Sequence, residues 1–312
     1  MLRHDAHIWR LISFMARHYS KAFRSHSEQI SLLSERGLTI RDNDAALRVL
    51  ASMNYYRFTG YAIPFMSDRE HFRLGVTFDD VLSVCRFDSD LRDLFFEAIE
   101  AVELDFRARF AYRFSEMRGA LGYRTPKNFT DEPAHAKTLR RIEEEISRSK
   151  EICILHFKSE YCEGEIPVWA VVEVASFGTL AAFYNILQPD VQNAISSDYG
   201  LRGDVFGSYI KHLSILRNIC AHHARLYDRR FYGFRPLNEW RIQKLKYAQE
   251  NRLFFPQCLL VYRLLKNINI FDRDDWRKRL LRKLNAKPLF AIVDLRRIMG
   301  IPDDADTSAL WI

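Results

Sequence analysis

The amino-acid sequence predicts an all-α protein. Glycine and proline together account for only 21 of the 312 residues, and the strong helix formers Leu, Ala, Glu and Arg are abundant. Apolar residues recur at steps of three and four in several segments, whereas no segment alternates apolar and polar residues as a strand would. No internal repeat is present. With 48% hydrophobic residues and a net charge of only +7, the chain is expected to fold around a large core.

The pattern divides the chain into four predicted regions. An N-terminal extension of mixed composition, with room for one amphipathic helix, precedes a small helical and irregular lobe. A helical core and a basic helical C-terminal region follow. The predicted bounds of the four regions are residues 1–24, 25–77, 78–236 and 237–312.

Two helices are predicted in the lobe from the residues that would cap them. Ser27 is a suitable N-cap and Gly37 a suitable stop for a short helix between them. A second helix is expected over residues 42–54, where two aspartates begin the segment and apolar residues follow at helical spacing. The aromatic stretch over residues 54–64 is expected to be less regular.

The clearest helical signal in the chain begins at Phe78 and continues to about Glu116. Apolar residues follow one another there at steps of three and four, which predicts one long buried stripe. Glycine and proline then indicate a loop over residues 119–133. The remaining predicted helices lie at residues 135–150 (charged and exposed), 168–187 and 206–227 (apolar), and across 237–297 (basic, interrupted at Pro256 and Pro288).

Positive charge is concentrated in the C-terminal third. Residues 202–297 contain 22 Lys and Arg against 8 Asp and Glu, a net charge of +14, whereas residues 1–201 carry a net charge of −4. A segment of this charge suits a polyanion such as nucleic acid, and the alternative is a solvated, arginine-rich helical surface. The densest basic run supplies four candidate phosphate contacts, Arg277, Lys278, Arg279 and Arg282.

Cysteine usage and hydropathy predict a cytoplasmic protein without a membrane span. The five cysteines are an odd number, widely spaced and without a Cys-x-x-Cys pair, so neither a disulfide framework nor a cysteine zinc site is expected. Arg10 interrupts the apolar stretch near the N-terminus, and no signal-peptide cleavage site follows it. The most apolar stretch, residues 166–184, contains Glu173 and predicts a buried helix and turn. No metal ion and no other cofactor is predicted.

The segment from residue 214 to 227 carries the most informative chemistry. Placed on a helix at about 100° per residue, its side chains separate into two faces. Arg217 lies at the flank between them, where its long stem can bend toward the polar face. The predicted apolar face consists of Leu213, Leu216, Cys220, Ala224 and Tyr227. The predicted polar face, with Lys211 added from the preceding turns, consists of Lys211, Asn218, His222, Arg225 and Arg229.

These side chains are suited to cleaving RNA without a metal ion. His222 could transfer the proton of a ribose 2′-hydroxyl or of the leaving 5′-oxygen, and Arg217 could hold the phosphate and stabilise developing charge. Asn218 could orient the imidazole or contact the phosphate. His223 is expected to be a packed core residue beside His212. By itself, an Arg and a His five residues apart on a helix are more often structural than catalytic.

Two further groups of residues have competing interpretations. Three arginines of the long helix, Arg107, Arg109 and Arg113, could track a phosphate backbone, but pairing with Glu103 and Glu116 or a solvated face is the favoured prediction. The second group, in the lobe, could stack on unpaired bases, but packing within the lobe is favoured. That group is Tyr55, Tyr56 and Arg57.

Residues 216–227 resemble the signature of the bacterial Abi family, the AbiD/AbiF-like abortive-infection proteins. Other segments resemble that family in the same order, so that the similarity extends over about residues 19–312. These segments are residues 28–38, 54–57 with 60–61, 87–92, 167–169 with 176–180, and 299–302 with 310–311.

The resemblance implies a HEPN-like helical bundle with N-terminal and C-terminal additions. In such proteins an Arg-x4-6-His motif is the proposed ribonuclease centre, and two motifs, usually from two protomers, face each other across a cleft. Arg217, Asn218 and His222 match that motif residue by residue. The resemblance further implies phage defence by RNA cleavage and association with a small non-coding RNA.

The sequence thus predicts a metal-independent RNA endonuclease that acts as a homodimer. The products are expected to carry 2′,3′-cyclic phosphates. Lys211, Arg225, Arg229 and the basic run are predicted to bind the RNA. One alternative is a non-catalytic protein that scaffolds a cognate small RNA, and another is an antitoxin that binds a protein partner.

Overall fold

A computed structural model describes residues 20, 22–162, 165–231, 252–285, 293–307 and 311. Within this part of the chain every regular element is a helix, and β structure is limited to three isolated bridges, which confirms the all-α prediction. No helix in the described ranges is long and apolar enough to cross a membrane. Three predictions lie outside the described residues, namely the extension over residues 1–19, the basic helices over 237–251 and the interruption at Pro288.

The chain divides into two compact units, residues 1–82 and 83–312. In its described part the first unit contains three complete α-helices, followed by a short 3₁₀ helix at Ile63–Phe65. They are α1 (His26–Glu35), α2 (Asn43–Ser52) and α3 (Tyr55–Ala62). The aromatic stretch after residue 54 is therefore more regular than the sequence predicted, because Asn54 caps α3 by accepting a hydrogen bond from the Tyr56 amide.

The caps of α1 and α2 show how the sequence sets the helix ends. Ser25, not the predicted Ser27, caps α1 in a reciprocal capping box with Glu28. Gly37 follows α1 with φ +91°, a conformation that glycine adopts without strain. Asp42 caps α2 by accepting a hydrogen bond from the amide of Ala45, as the aspartates at this position predicted. Cap identity was therefore harder to predict than helix position.

The helix α4 (Phe78–Arg118) confirms the long apolar pattern. Its stripe is fully buried in the second unit, where rings from other helices surround Phe106. The ring centroid of Phe106 lies 6.2 Å from that of Phe177, 5.9 Å from that of Tyr184 and 5.8 Å from that of Phe206. These contacts pack α4 against the segments that contain Phe177, Tyr184 and Phe206.

Nine further helices belong to the second unit in the described ranges. The predicted apolar segment 168–187 forms two of them, because Ser176 interrupts it and caps the second by accepting a hydrogen bond from the Thr179 amide. The sequence did not predict α6 or α9. The nine are α5 (Glu132–Arg148), α6 (Ile152–Glu160), α7 (Val168–Val174), α8 (Phe177–Asn185), α9 (Pro189–Ser197), α10 (Gly203–Ala221), α11 (Phe254–Leu264), α12 (Arg273–Leu284) and α13 (Leu295–Met299).

The packing of α10 against α8 and α9 places the candidate motif. Gly207 allows a close approach, because a Cβ atom there would lie 2.6 Å from the side-chain oxygen of Asn185. The amide of Asn185 donates a hydrogen bond to the Gly207 carbonyl at 3.1 Å. One end of α10 is thus fixed in the core, and the helix carries residues 211–221 to its other end.

Candidate functional site

The helix α10 ends at Ala221, earlier than the predicted end at residue 227. His222 is its C-cap, and His223 follows with φ +53°. The amide of His223 donates to the Cys220 carbonyl at 3.0 Å, and that of Ala224 donates to the Ile219 carbonyl at 2.9 Å. This pair of hydrogen bonds is the Schellman motif, in which glycine normally occupies the left-handed position that His223 holds here.

The early helix end changes which side chains share a face. Lys211, Asn218 and His222 lie on one exposed side, as predicted. Arg225 and Arg229 were predicted to extend that side, and this prediction was wrong because the chain has already left the helix. The Arg229 Nε instead donates to the backbone carbonyl of Arg225 at 2.6 Å.

The histidines of the segment divide differently from the prediction. His223 is exposed rather than packed in the core, because the left-handed conformation turns it away from the apolar face. His212 is buried and its Nε2 is hydrogen-bonded to the side-chain oxygen of Gln257, as expected for a core histidine. Burial lowers the pKa of His212 to about 4. Two exposed imidazoles, on His222 and His223, therefore stand at the helix end.

Arg217 leans toward α4, where a buried carboxylate meets it. Its Nε lies 3.5 Å from Oε2 of Glu103, and its side chain is 38% exposed. Glu103 also pairs with Arg107, whose guanidinium donates to the carbonyl of Ala175 at 2.8 Å. Nε is buried and makes no hydrogen bond at this distance, and among the described residues the terminal nitrogens of Arg217 make none either. The carboxylate thus holds the stem side of the guanidinium and leaves its two outer nitrogens for a ligand.

A second buried carboxylate fixes the chain just after the motif. Asp88 Oδ1 accepts hydrogen bonds from the amides of Leu226 and Tyr227, at 3.0 and 2.8 Å. The same carboxylate pairs with Arg92, and both side chains are almost completely buried. The segment 87–92 and the segment 216–227, which each resembled a family motif, therefore meet in space. No pattern in the sequence indicated that Asp88 and Glu103 position the motif.

Two neighbouring titratable groups are unsuited to proton transfer at neutral pH. Burial raises the pKa of the Cys220 thiol to about 12. Burial also raises the pKa of the Tyr227 hydroxyl, with the nearby Asp228 charge adding to the effect. His222 and His223 remain as exposed acid–base candidates, and His222 is the one that the Arg217 motif includes. In the described ranges, no cluster of three or more His, Cys, Asp or Glu residues could hold a metal ion.

The basic run lies on α12, and the structure divides it into two faces. Trp276 is buried and donates to the Leu94 carbonyl at 2.8 Å. Arg279 makes two hydrogen bonds to the Glu97 carboxylate, at 2.7 and 2.8 Å. Lys283 lies 2.8 Å from Asp90. These contacts dock α12 on α4, and Arg279, one of the four predicted phosphate contacts, pairs with an acidic residue of the same chain.

The outer face of α12 carries the rest of the run. Arg277 donates to the Asp306 carbonyl at 2.7 Å and lies over the Trp311 ring. It therefore contacts the C-terminal segment of the same chain. Lys278 and Arg282 are exposed and have no ionic partner among the described residues. Of the four predicted phosphate contacts on this helix, Arg277 and Arg279 are thus engaged within the chain, whereas Lys278 and Arg282 have no such partner among the described residues.

The arginines of α4 are paired, as the favoured interpretation predicted. Arg107 pairs with Glu103, and Arg113 pairs with Glu116 and, from another helix, with Asp198 at 2.9 Å. Arg109 pairs with Asp105 at 2.7 Å. These side chains hold helices together rather than lining a phosphate track.

The fold and the site define a protein that is all-helical in its described part, with a half-buried Arg217 and an exposed His222 near the end of one helix. A family model described as Abi-like protein matches residues 48–228, more than half of the chain. The chain therefore belongs to the Abi-like protein family, which is associated with abortive infection. A comparison with curated proteins and one with solved structures each found no match.

Proposed function

We propose that the protein is a metal-independent RNA endonuclease of the HEPN type. The observation that carries the proposal is the pair at the end of α10. It consists of the exposed imidazole of His222 and the guanidinium of Arg217, whose outer nitrogens have no protein partner among the described residues. The Abi-like family match supports this assignment, because the matched range, residues 48–228, includes Arg217 and His222.

In the proposed reaction the ribose 2′-oxygen attacks the adjacent phosphorus and the 5′-oxygen leaves. The proton of the 2′-hydroxyl passes to a base, and a proton is delivered to the 5′-oxygen, so that a 2′,3′-cyclic phosphate and a 5′-hydroxyl result. His222 performs a proton transfer, and Arg217 binds the phosphate and stabilises the charge that develops on it. Asn218, exposed on the same side as His222, orients the imidazole or the phosphate.

The geometry of a single chain favours a second copy as the partner in this reaction. Two residues that are five positions apart on an α-helix point in directions about 140° apart, at 100° per residue. Arg217 accordingly leans toward α4, whereas His222 lies on the exposed side. A homodimer in which two motifs face each other would bring two guanidiniums and two imidazoles to one phosphodiester.

The proposal is tested with the purified full-length protein and RNA in EDTA. The wild-type protein is expected to cut, leaving cyclic phosphate ends, and His222→Ala is expected to lower the rate by about 10²–10⁴-fold. His223→Asn is the matched control, because it removes the adjacent exposed imidazole and asparagine tolerates positive φ. It is expected to cut at close to the wild-type rate.

Two outcomes would contradict the proposal. One is cutting that His222→Ala and the wild type perform equally, which would identify a contaminating nuclease. The other is tight, salt-sensitive RNA binding without cleavage under any condition, which would favour the scaffold for a small RNA. The exposed Lys278 and Arg282 are the residues of α12 that serve binding in either case.

In the cell, the activity we propose is phage defence by RNA cleavage, held in check by a small non-coding RNA. An absorbance ratio at 260 and 280 nm, followed by sequencing of any RNA that purifies with the protein, tests the association directly. Protein free of nucleic acid but bound to another protein would favour the antitoxin alternative.

A further inference from the structure

The first unit contains a cavity of about 320 Å³ that the motif does not explain. It lies between α1, α3 and the turn that follows the 3₁₀ helix. Its apolar part includes Leu33, Ala62 and Phe72, which are almost completely buried. This volume is at the lower end of the range for sites that hold small organic ligands.

Four polar or aromatic side chains stand around this apolar floor, namely Arg36, Tyr56, Thr59 and Arg69. Tyr56 is 68% exposed, and its ring makes an edge contact with Tyr55. Arg36 and Arg69 also line the cavity, and neither has an ionic partner in the described ranges. Packing within the lobe was the favoured prediction for Tyr55, Tyr56 and Arg57, and the exposure of Tyr56 departs from it.

One of the two acids next to Arg69 in the sequence, Asp68, is engaged elsewhere. Asp68 accepts hydrogen bonds from the amides of Glu70 and His71, at 2.7 and 2.9 Å, and its carboxylate lies 3.0 Å from the His71 ring. The hydrogen bonds hold the turn and occupy the carboxylate. The lining of the cavity itself contains two guanidiniums and no acidic side chain.

We propose that this cavity binds one unpaired nucleotide. The tyrosine ring and the apolar floor suit a planar base, and guanidiniums bind phosphate through paired N–H groups. The absence of acidic lining favours a ligand with negative charge over a peptide segment of mixed charge. The inference rests on the proposed function only in taking an RNA strand, rather than a free nucleotide, as the natural source.

The test uses the full-length protein carrying His222→Ala, so that RNA survives the measurement. The probes are uridine 5′-monophosphate and an oligouridylate hexamer, whose bases do not depend on pairing. Tyr56→Ala is expected to weaken binding of the hexamer by about 5- to 100-fold, the effect of losing one stacked base. Tyr112→Ala, which removes a tyrosine that is 64% exposed in the other unit, is expected to leave it unchanged.

The salt dependence of hexamer binding tests whether the arginines of the cavity contact phosphate. Arg69→Gln is expected to reduce the slope of log K against log salt for the hexamer by about 0.7, the value for one phosphate contact on a single strand. Arg41→Gln, an exposed arginine of the same unit outside the cavity lining, is the matched control. A 4-thiouridine hexamer is expected to cross-link to a peptide that contains Tyr56.

The results distinguish between a free nucleotide and an RNA strand as the ligand. Binding of the monophosphate that depends on Tyr56 supports a pocket open to free nucleotides, and dependence seen only with the hexamer supports a pocket for an RNA strand. Equal effects of Tyr56→Ala and Tyr112→Ala, or an unchanged salt slope with Arg69→Gln, would overturn the proposal. If the wild type does not cleave RNA but hexamer binding still depends on Tyr56, the nuclease proposal is contradicted and the nucleotide-binding proposal is not.

Discussion

The middle and the end of α10 place the same side chain in opposite surroundings. His212 is buried and hydrogen-bonded to Gln257, and its pKa is lowered to about 4 by burial. His222 lies at the C-cap of the same helix and is exposed. Whether a histidine of this helix is buried or exposed therefore depends on its distance from the helix end. The position of that end depends in turn on the turn at His223 and on the segment anchored by Asp88.

The greatest loss of stability is expected from removing the carboxylate that holds the chain after the helix end. Asp88→Ala leaves Arg92 buried without its partner and frees two buried amides, so the free energy of unfolding is expected to fall by about 3–5 kcal/mol. Urea denaturation measures the change. The chain after α10 would then lose its anchor, and the helix end would no longer be fixed at His222.

A neighbouring ion pair provides the control for this change. Asp90 pairs with Lys283 on the surface, and Asp90→Ala is expected to cost no more than about 1 kcal/mol. Equal losses of unfolding free energy for Asp88→Ala and Asp90→Ala would show that the buried carboxylate stabilises the fold no more than the surface one.

The buried histidine of the pair predicts a pH dependence. A histidine whose pKa is lowered on folding is neutral in the folded protein, whereas the unfolded chain takes up a proton below pH 6.5. The free energy of unfolding is therefore expected to fall by about 3 kcal/mol as the pH is lowered from 6.5 to 4 on account of His212. In His212→Gln this contribution is absent, so the difference in stability between parent and variant should narrow across that range. A constant difference would contradict the assignment.

A weaker effect is expected at the left-handed residue that ends the helix. His223→Gly relieves the conformational cost of φ +53° but adds entropy to the unfolded chain, so stabilisation of about 0–1 kcal/mol is expected. His222→Gly, at φ −91°, relieves nothing and is expected to destabilise by about 0.5–1 kcal/mol. Thermal unfolding of both variants measures the difference between the two positions, and the reverse order would show that the turn at His223 is unstrained.

Much of the fold could be predicted because its helices are amphipathic over long stretches. The stripe of α4 and the start of α2 follow directly from apolar spacing and capping residues. The end of α10 could not be predicted, because a histidine stands where glycine usually marks a stop. The helix α6 was missed because its exposed apolar residues, such as Ile152 and Leu155, leave no clear stripe.

The candidate site was predictable only in its local part. Arg217, Asn218 and His222 lie within six residues and carry a recognisable pattern. Glu103 and Asp88 lie more than a hundred residues away along the chain, and no local pattern connects them with α10. In the same way, no local pattern showed that Arg279 and Lys283 of α12 pair with Glu97 and Asp90 of α4.

The Asp88 anchor has a consequence for how this protein would look in a genetic screen. A saturation mutagenesis library scored by growth arrest would record substitutions at Asp88 and at His222 as equally inactive, although the first touches no RNA in the proposed reaction. Measuring protein abundance in the same library would separate them, because loss of the anchor depletes folded protein whereas loss of an exposed imidazole does not.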